Sequence, residues 1–118
     1  MPKIDFPLAL PRRFEVWSYR APHGVLVLRS DKGADAPTRV DVVFRAVSEV
    51  KLATVMTNLV VDRAGGAYTL ASNEMPDAYV VAANALVFED DLEGGQPSVA
   101  EDPALERHVI RSLYHHRY

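Results

Sequence analysis

Residues 14–20 read FEVWSYR, residues 21–24 APHG and residues 25–30 VLVLRS. No other feature constrains the chain as much. The flanking runs are rich in β-branched and aromatic residues, which suit a pleated surface. Pro22 presets one backbone angle between them, and Gly24 permits a positive φ. The segment predicts a β-hairpin.

Further runs of the same kind follow. Residues 38–45 alternate, with Val40, Val42 and Phe44 on one side and Arg39, Asp41, Val43 and Arg45 on the other. A period of two predicts a strand with one buried face. Residues 47–52 alternate again and predict a short strand or a continuation after a bend. Residues 59–62 and 67–71 are strand candidates around a turn at Gly65 and Gly66. The apolar run 78–89 suits either a buried strand or a buried helix by pattern; its neighbours favour the strand.

Residues 1–13, with Pro2, Pro7 and Pro11, predict an extended N-terminal segment, because proline interrupts ladders and helices. Residues 90–101 predict an exposed acidic connector. Asp102 followed by Pro103 matches a helix N-cap and first-turn proline. Leu105, Val109 and Leu113 then recur every four residues, so a C-terminal helix is predicted over 102–115. The expected fold class is α+β, mainly antiparallel β: one domain over 1–118, built as a sheet or small barrel with one C-terminal helix. That outline is similar to a pleckstrin-homology-like barrel.

Charge divides the 118-residue chain unevenly. Residues 1–88 carry ten Lys/Arg against nine Asp/Glu, residues 89–102 carry six acids and no base, and residues 103–118 are basic. The connector is therefore expected to fold back on the basic tail. A net charge of −3 argues against general nucleic-acid binding. There is no cysteine, so disulfides, zinc–thiolate sites and a cysteine nucleophile are excluded. Residues 1–13 lack a signal-peptide pattern, and the run 78–88 is too short to span a bilayer as a helix. A soluble cytoplasmic protein is expected.

Chemistry-bearing motifs are sparse. On the predicted helix His108 and His115 lie seven residues apart, roughly 10 Å of rise, too far for one metal ion. The acids at 89, 90, 91 and 93 do not match a calcium loop. No nucleophile elbow, phosphate loop or dinucleotide fingerprint occurs. No catalytic, metal-binding or cofactor-binding residue is assigned, and no cofactor. The remaining signal is a face for recognition. Trp17 and Tyr19 are expected on one strand face opposite Phe14 and Val16. Arg20, Arg29, Arg39 and Arg45 lie in or beside strands, where guanidinium groups could meet carboxylate or phosphate.

Residues 14–30 and 38–44 together resemble small actinobacterial single-domain proteins of unknown function, and some similar β-rich proteins are immunity partners in toxin systems. The resemblance implies a protein-binding role and transfers no functional residue. Two functions are expected from the sequence: a non-enzymatic protein-interaction module, immunity-like or self-associating, or a small-molecule or anion binder, enzymatic or not, with an Arg/His-lined pocket. Neither expectation includes a membrane.

Overall fold

The hairpin signal at residues 14–30 is the start of a longer ladder. In the computed structural model, which describes residues 1–33 and 36–117, the chain runs through nine strands. They are β1 (Leu8–Arg20), β2 (Val25–Ser30), β3 (Arg39–Arg45), β4 (Glu49–Lys51), β5 (Val55–Ala64), β6 (Ala67–Ala71), β7 (Ala78–Val81), β8 (Asn84–Asp90) and β9 (Val109–His116). All pair antiparallel in one open sheet of order β4-β7-β6-β5-β1-β2-β3-β8-β9. Laid flat at about 4.8 Å per strand, it would be roughly 38 Å across. The molecule measures 34 × 28 × 26 Å, so the sheet rolls up. Its inner face encloses the main core, which includes Phe14, Leu28, Phe44, Met56, Leu59, Tyr68 and Val87.

Several sequence expectations meet this structure directly. The hairpin is present, with a 3-10 turn at Ala21–His23 and Gly24 in the left-handed region. The partner strand at 67–71 and a strand reading of 78–89 are also present, the latter divided into β7 and β8 at Ala82 and Ala83. β1 begins at Leu8, inside the segment expected to be merely extended. Pro11 is tolerated there because the β1–β5 register shifts between Leu10 and Arg13, and an irregular position needs no ladder N–H.

The C-terminal helix over 102–115 is corrected. Asp102 does cap, its side chain accepting from the Ala104 N–H at 3.0 Å, but only a 3-10 turn over Pro103–His108 follows. The remainder is β9, paired with β8 from Val109 to His116. The four-residue spacing misled because a bulge shifts the register between Glu89 and Asp90 and leaves Ile110 extra. Val109 and Tyr114 then pack on one face while Leu113 faces the main core.

The exposed connector over 90–101 is corrected too. Leu92, Ser98 and Val99 are buried. Leu92 and Val99, with Leu105, cover the outer face of β2, β3 and β8 in a second apolar cluster around Val27, Val43, Leu86 and Phe88. Hence β3 is buried on both faces from Arg39 to Phe44, where the alternation predicted one buried face. The connector does meet the basic tail, through Asp91 Oδ1 and His108 Nδ1 at 2.8 Å. Among the described residues, no helix is long and apolar enough to cross a membrane.

Gly24 ties the β1–β2 turn to the segment between β3 and β4. Its φ is +58°, and a Cβ there would lie 2.9 Å from the Val47 backbone nitrogen. That nitrogen donates to the Gly24 carbonyl at 2.9 Å, so neither backbone segment can retreat without losing the bond. Gly24→Ala is expected to destabilise the fold by about 1–3 kcal/mol, measured by urea denaturation.

Candidate functional site

Strand register decides where each arginine of the expected face goes. Arg29 stands opposite Asp41, and Arg39 stands opposite Asp90. All four lie on the outer face of β2, β3 and β8, under residues 92–99, and all four are buried. Arg29 donates through Nε and Nη2 to the two Asp41 oxygens at 2.7 and 3.0 Å. Arg39 grips Asp90 the same way at 3.0 and 3.2 Å. The outward nitrogens turn to the covering loop. Arg39 donates to the carbonyls of Glu93, Gln96 and Pro97 at 2.8–3.0 Å. Arg29 donates to those of Gly94 and Gln96 at 2.5 and 2.9 Å. The five N–H groups of Arg39 are thus all engaged. Arg29 and Arg39 hold the loop and present no cation to solvent.

Trp17, Tyr19 and Arg20 lie at the projecting end of β1. The β1–β2 register shifts between Val16 and Ser18, which reverses the alternation. Trp17 stacks over the Arg29 guanidinium, 4.2 Å from ring centroid to Cζ. Tyr19 stands opposite Leu26, whose side chain belongs to the main core. The two aromatics, expected on one face, are therefore split by the bulge. Both stay accessible: Val16, Trp17 and Tyr19 are 36%, 42% and 51% exposed. Arg20 reaches Glu101 at 2.7 Å. Beyond Glu15 the β5 ladder ends. One bond from the Val16 N–H to the Thr54 carbonyl continues it, and residues 17–20 have only β2 as a ladder partner among the described strands.

Arg45 belongs to a different place. It ends β3 and lines a groove of about 880 Å³ with Lys3, Phe6, Arg63, Tyr114 and His115. The roll builds this groove by bringing β6 and β9 together, although five strands separate them in sheet order. Tyr68 and His115 meet there at 2.7 Å through the phenol oxygen and Nδ1, and Arg63 Nη1 lies 3.2 Å from His115 Nε2. A guanidinium can only donate, so Nε2 accepts and Nδ1 carries the ring proton. Nδ1–H then donates to the Tyr68 oxygen, whose own hydrogen faces the His115 carbonyl at 3.5 Å. Burial pushes the Tyr68 phenol up to about 12, against the pull of Arg117 and Arg63. Burial first, then Arg63, His116, Arg117 and Lys3, hold the His115 pKa below its ordinary value.

No protein-family model matches the chain, and comparisons with curated proteins and with solved structures find no match. Function is therefore read from the residues. Among the described residues, no three His, Asp or Glu side chains gather as a metal-ligand set. Of the expected face, Trp17, Tyr19 and Arg20 stay together on the hairpin, Arg29 and Arg39 are interior, and Arg45 is in the groove. The meeting of Arg63, Tyr68 and His115 was not legible in sequence, since 47 residues separate Tyr68 from His115. The one available signal was the joint clustering of Arg and His near two turn or chain ends.

Removing one partner of a buried ion pair strands the other, so Arg39→Met is expected to cost about 3–5 kcal/mol in urea denaturation. Lys51→Ala, in the exposed pair with Asp77, is expected to cost under about 1 kcal/mol. For His115 the folded pKa lies below the unfolded value of about 6.5, so the unfolded chain binds more protons as pH falls through that window. The wild type should therefore lose more stability than His115→Gln between about pH 7 and about pH 5. Parallel stability–pH curves for the two proteins would contradict this.

Proposed function

We propose that the chain is a non-enzymatic protein-interaction module that receives an extended segment of a partner protein beside residues 17–20 of β1. The carrying observation is the conjunction of an unladdered strand side with three large exposed side chains. Strand addition uses such a combination: free backbone groups supply hydrogen bonds, and alternate side chains select the partner. An exposed edge of this kind is a liability when nothing uses it, and Val16, Trp17 and Tyr19 place apolar surface where natural edges carry charge. The segment containing β4 adds exposed Val50. It is tied to the same hairpin at both ends, by the bonds at Gly24 and Val16.

Trp17 also covers Arg29, so a single substitution there would mix recognition with stability. Tyr19 touches no part of the buried network and separates the two. Light scattering and co-purification from the cells that make the protein are the measurements. Tyr19→Ala and Trp17→Ala, each shown folded by circular dichroism, are expected to lower retention of the partner, or of a second copy, at least about tenfold. Unchanged retention in both variants overturns the reading.

A second reading, a binder of small anions, is favoured by a separate observation: the groove between Arg45, Arg63 and His115.

A further inference from the structure

We propose that this groove is a binding site for a small soluble organic phosphate, a phosphate monoester with a planar or apolar body. The inference deepens the anion-binding reading and is independent of the hairpin.

Charge comes first. The protein is acidic overall, and four of its surface cations sit against carboxylates: Arg13 on Glu15, Arg20 on Glu101, Lys32 on Glu93 and Lys51 on Asp77. Lys3, Arg45 and Arg63 line the groove, and none of the three has an ion-pair partner among the described residues. Asp5 is the one acid among the described lining residues. Among the described lining residues, three cations against one carboxylate leave two positive charges, which match a phosphate monoester dianion better than a carboxylate. A concave wall with one sign of charge also concentrates ions of the other.

Preorganisation comes second. Arg63 is held from two sides, by its bond to His115 Nε2 at 3.2 Å and by stacking over the Phe6 ring at 5.0 Å. His115 in turn is fixed by Tyr68, and its ring meets Phe6 edge-on at 5.0 Å. One N–H of Arg63 is used by the imidazole, and the others remain for a ligand. A guanidinium already fixed loses little entropy on binding and suits paired phosphate oxygens.

Size and lining come third. About 880 Å³ falls within the range of sites for organic ligands and far exceeds what inorganic phosphate fills. Phe6, Ile4, Leu86 and Tyr114 supply apolar and aromatic surface beside the cations. An organic body attached to the phosphate would use that surface, and a bare ion would not.

Titration calorimetry with phenyl phosphate, inorganic phosphate and phenol tests the proposal on the intact protein. Phenyl phosphate is expected to bind with a Kd below about 1 mM, at least tenfold tighter than inorganic phosphate, while phenol gives no heat. Arg63→Gln and Arg45→Gln, both at exposed positions, are each expected to weaken it about tenfold, while Lys51→Gln leaves it unchanged. Equal affinity for phenyl phosphate and inorganic phosphate, both lost in Arg63→Gln, would overturn the organic ester and leave an anion site. No saturable binding of either, or binding indifferent to both arginine variants, would overturn the site itself.

Discussion

Two buried arginines hold the outer half of this protein in place. Residues 92–99 are irregular, and an irregular segment has carbonyls that no ladder satisfies. Arg29 and Arg39 have the complementary need, because a guanidinium at their depth must find an acceptor for every N–H. Each satisfies the other: the carboxylates of Asp41 and Asp90 take the charge, and the carbonyls of Glu93, Gly94, Gln96 and Pro97 take the outward donors. The Leu92 N–H closes the set by donating to Asp90 Oδ1 at 3.0 Å. Two positive and two negative charges leave the cluster neutral, as burial requires.

The rest of the fold follows from that clamp. With residues 92–99 held over β2, β3 and β8, Leu92, Val99 and Leu105 have an apolar face to cover. The chain emerges from the turn at Pro103–His108 beside the edge of β8, and β9 forms there. β9 is not left open, since the Ile4 N–H donates to the Tyr114 carbonyl and the Tyr114 N–H to the Pro2 carbonyl, at 2.8 and 3.0 Å. That N-terminal strap brings Lys3 and Phe6 to the groove. β9 brings His115 across the roll to Tyr68. The groove thus depends on contacts made by a clamp on the opposite face of the sheet, and the projecting hairpin gets Trp17 as the lid over Arg29.

Much of the strand content was legible because β-branched and aromatic runs bounded by Pro and Gly report local preference. Residues 67–71 and the hairpin at 14–30 are examples. Errors came where a local pattern had two solutions. Leu105, Val109 and Leu113 fit one helical stripe, and they fit a bulged strand equally well. The bulge between Val16 and Ser18 likewise reversed the face of Tyr19. No residue type announces a bulge, since it arises from pairing with a partner strand. The six acids of 89–102 suggested solvent because charge seldom goes inside alone, but Asp90 goes inside with Arg39.

The sequence by itself determined that this is an antiparallel β protein without cysteine chemistry, because alternation, turn residues and composition act over a few neighbours. Only the tertiary structure decided which charges are interior and which face a ligand. Arg29, Arg39, Arg45 and Arg63 look alike in sequence. Their roles part because register sets two of them opposite Asp41 and Asp90, while the roll of the sheet leaves the other two around a groove, without an ion-pair partner among the described residues.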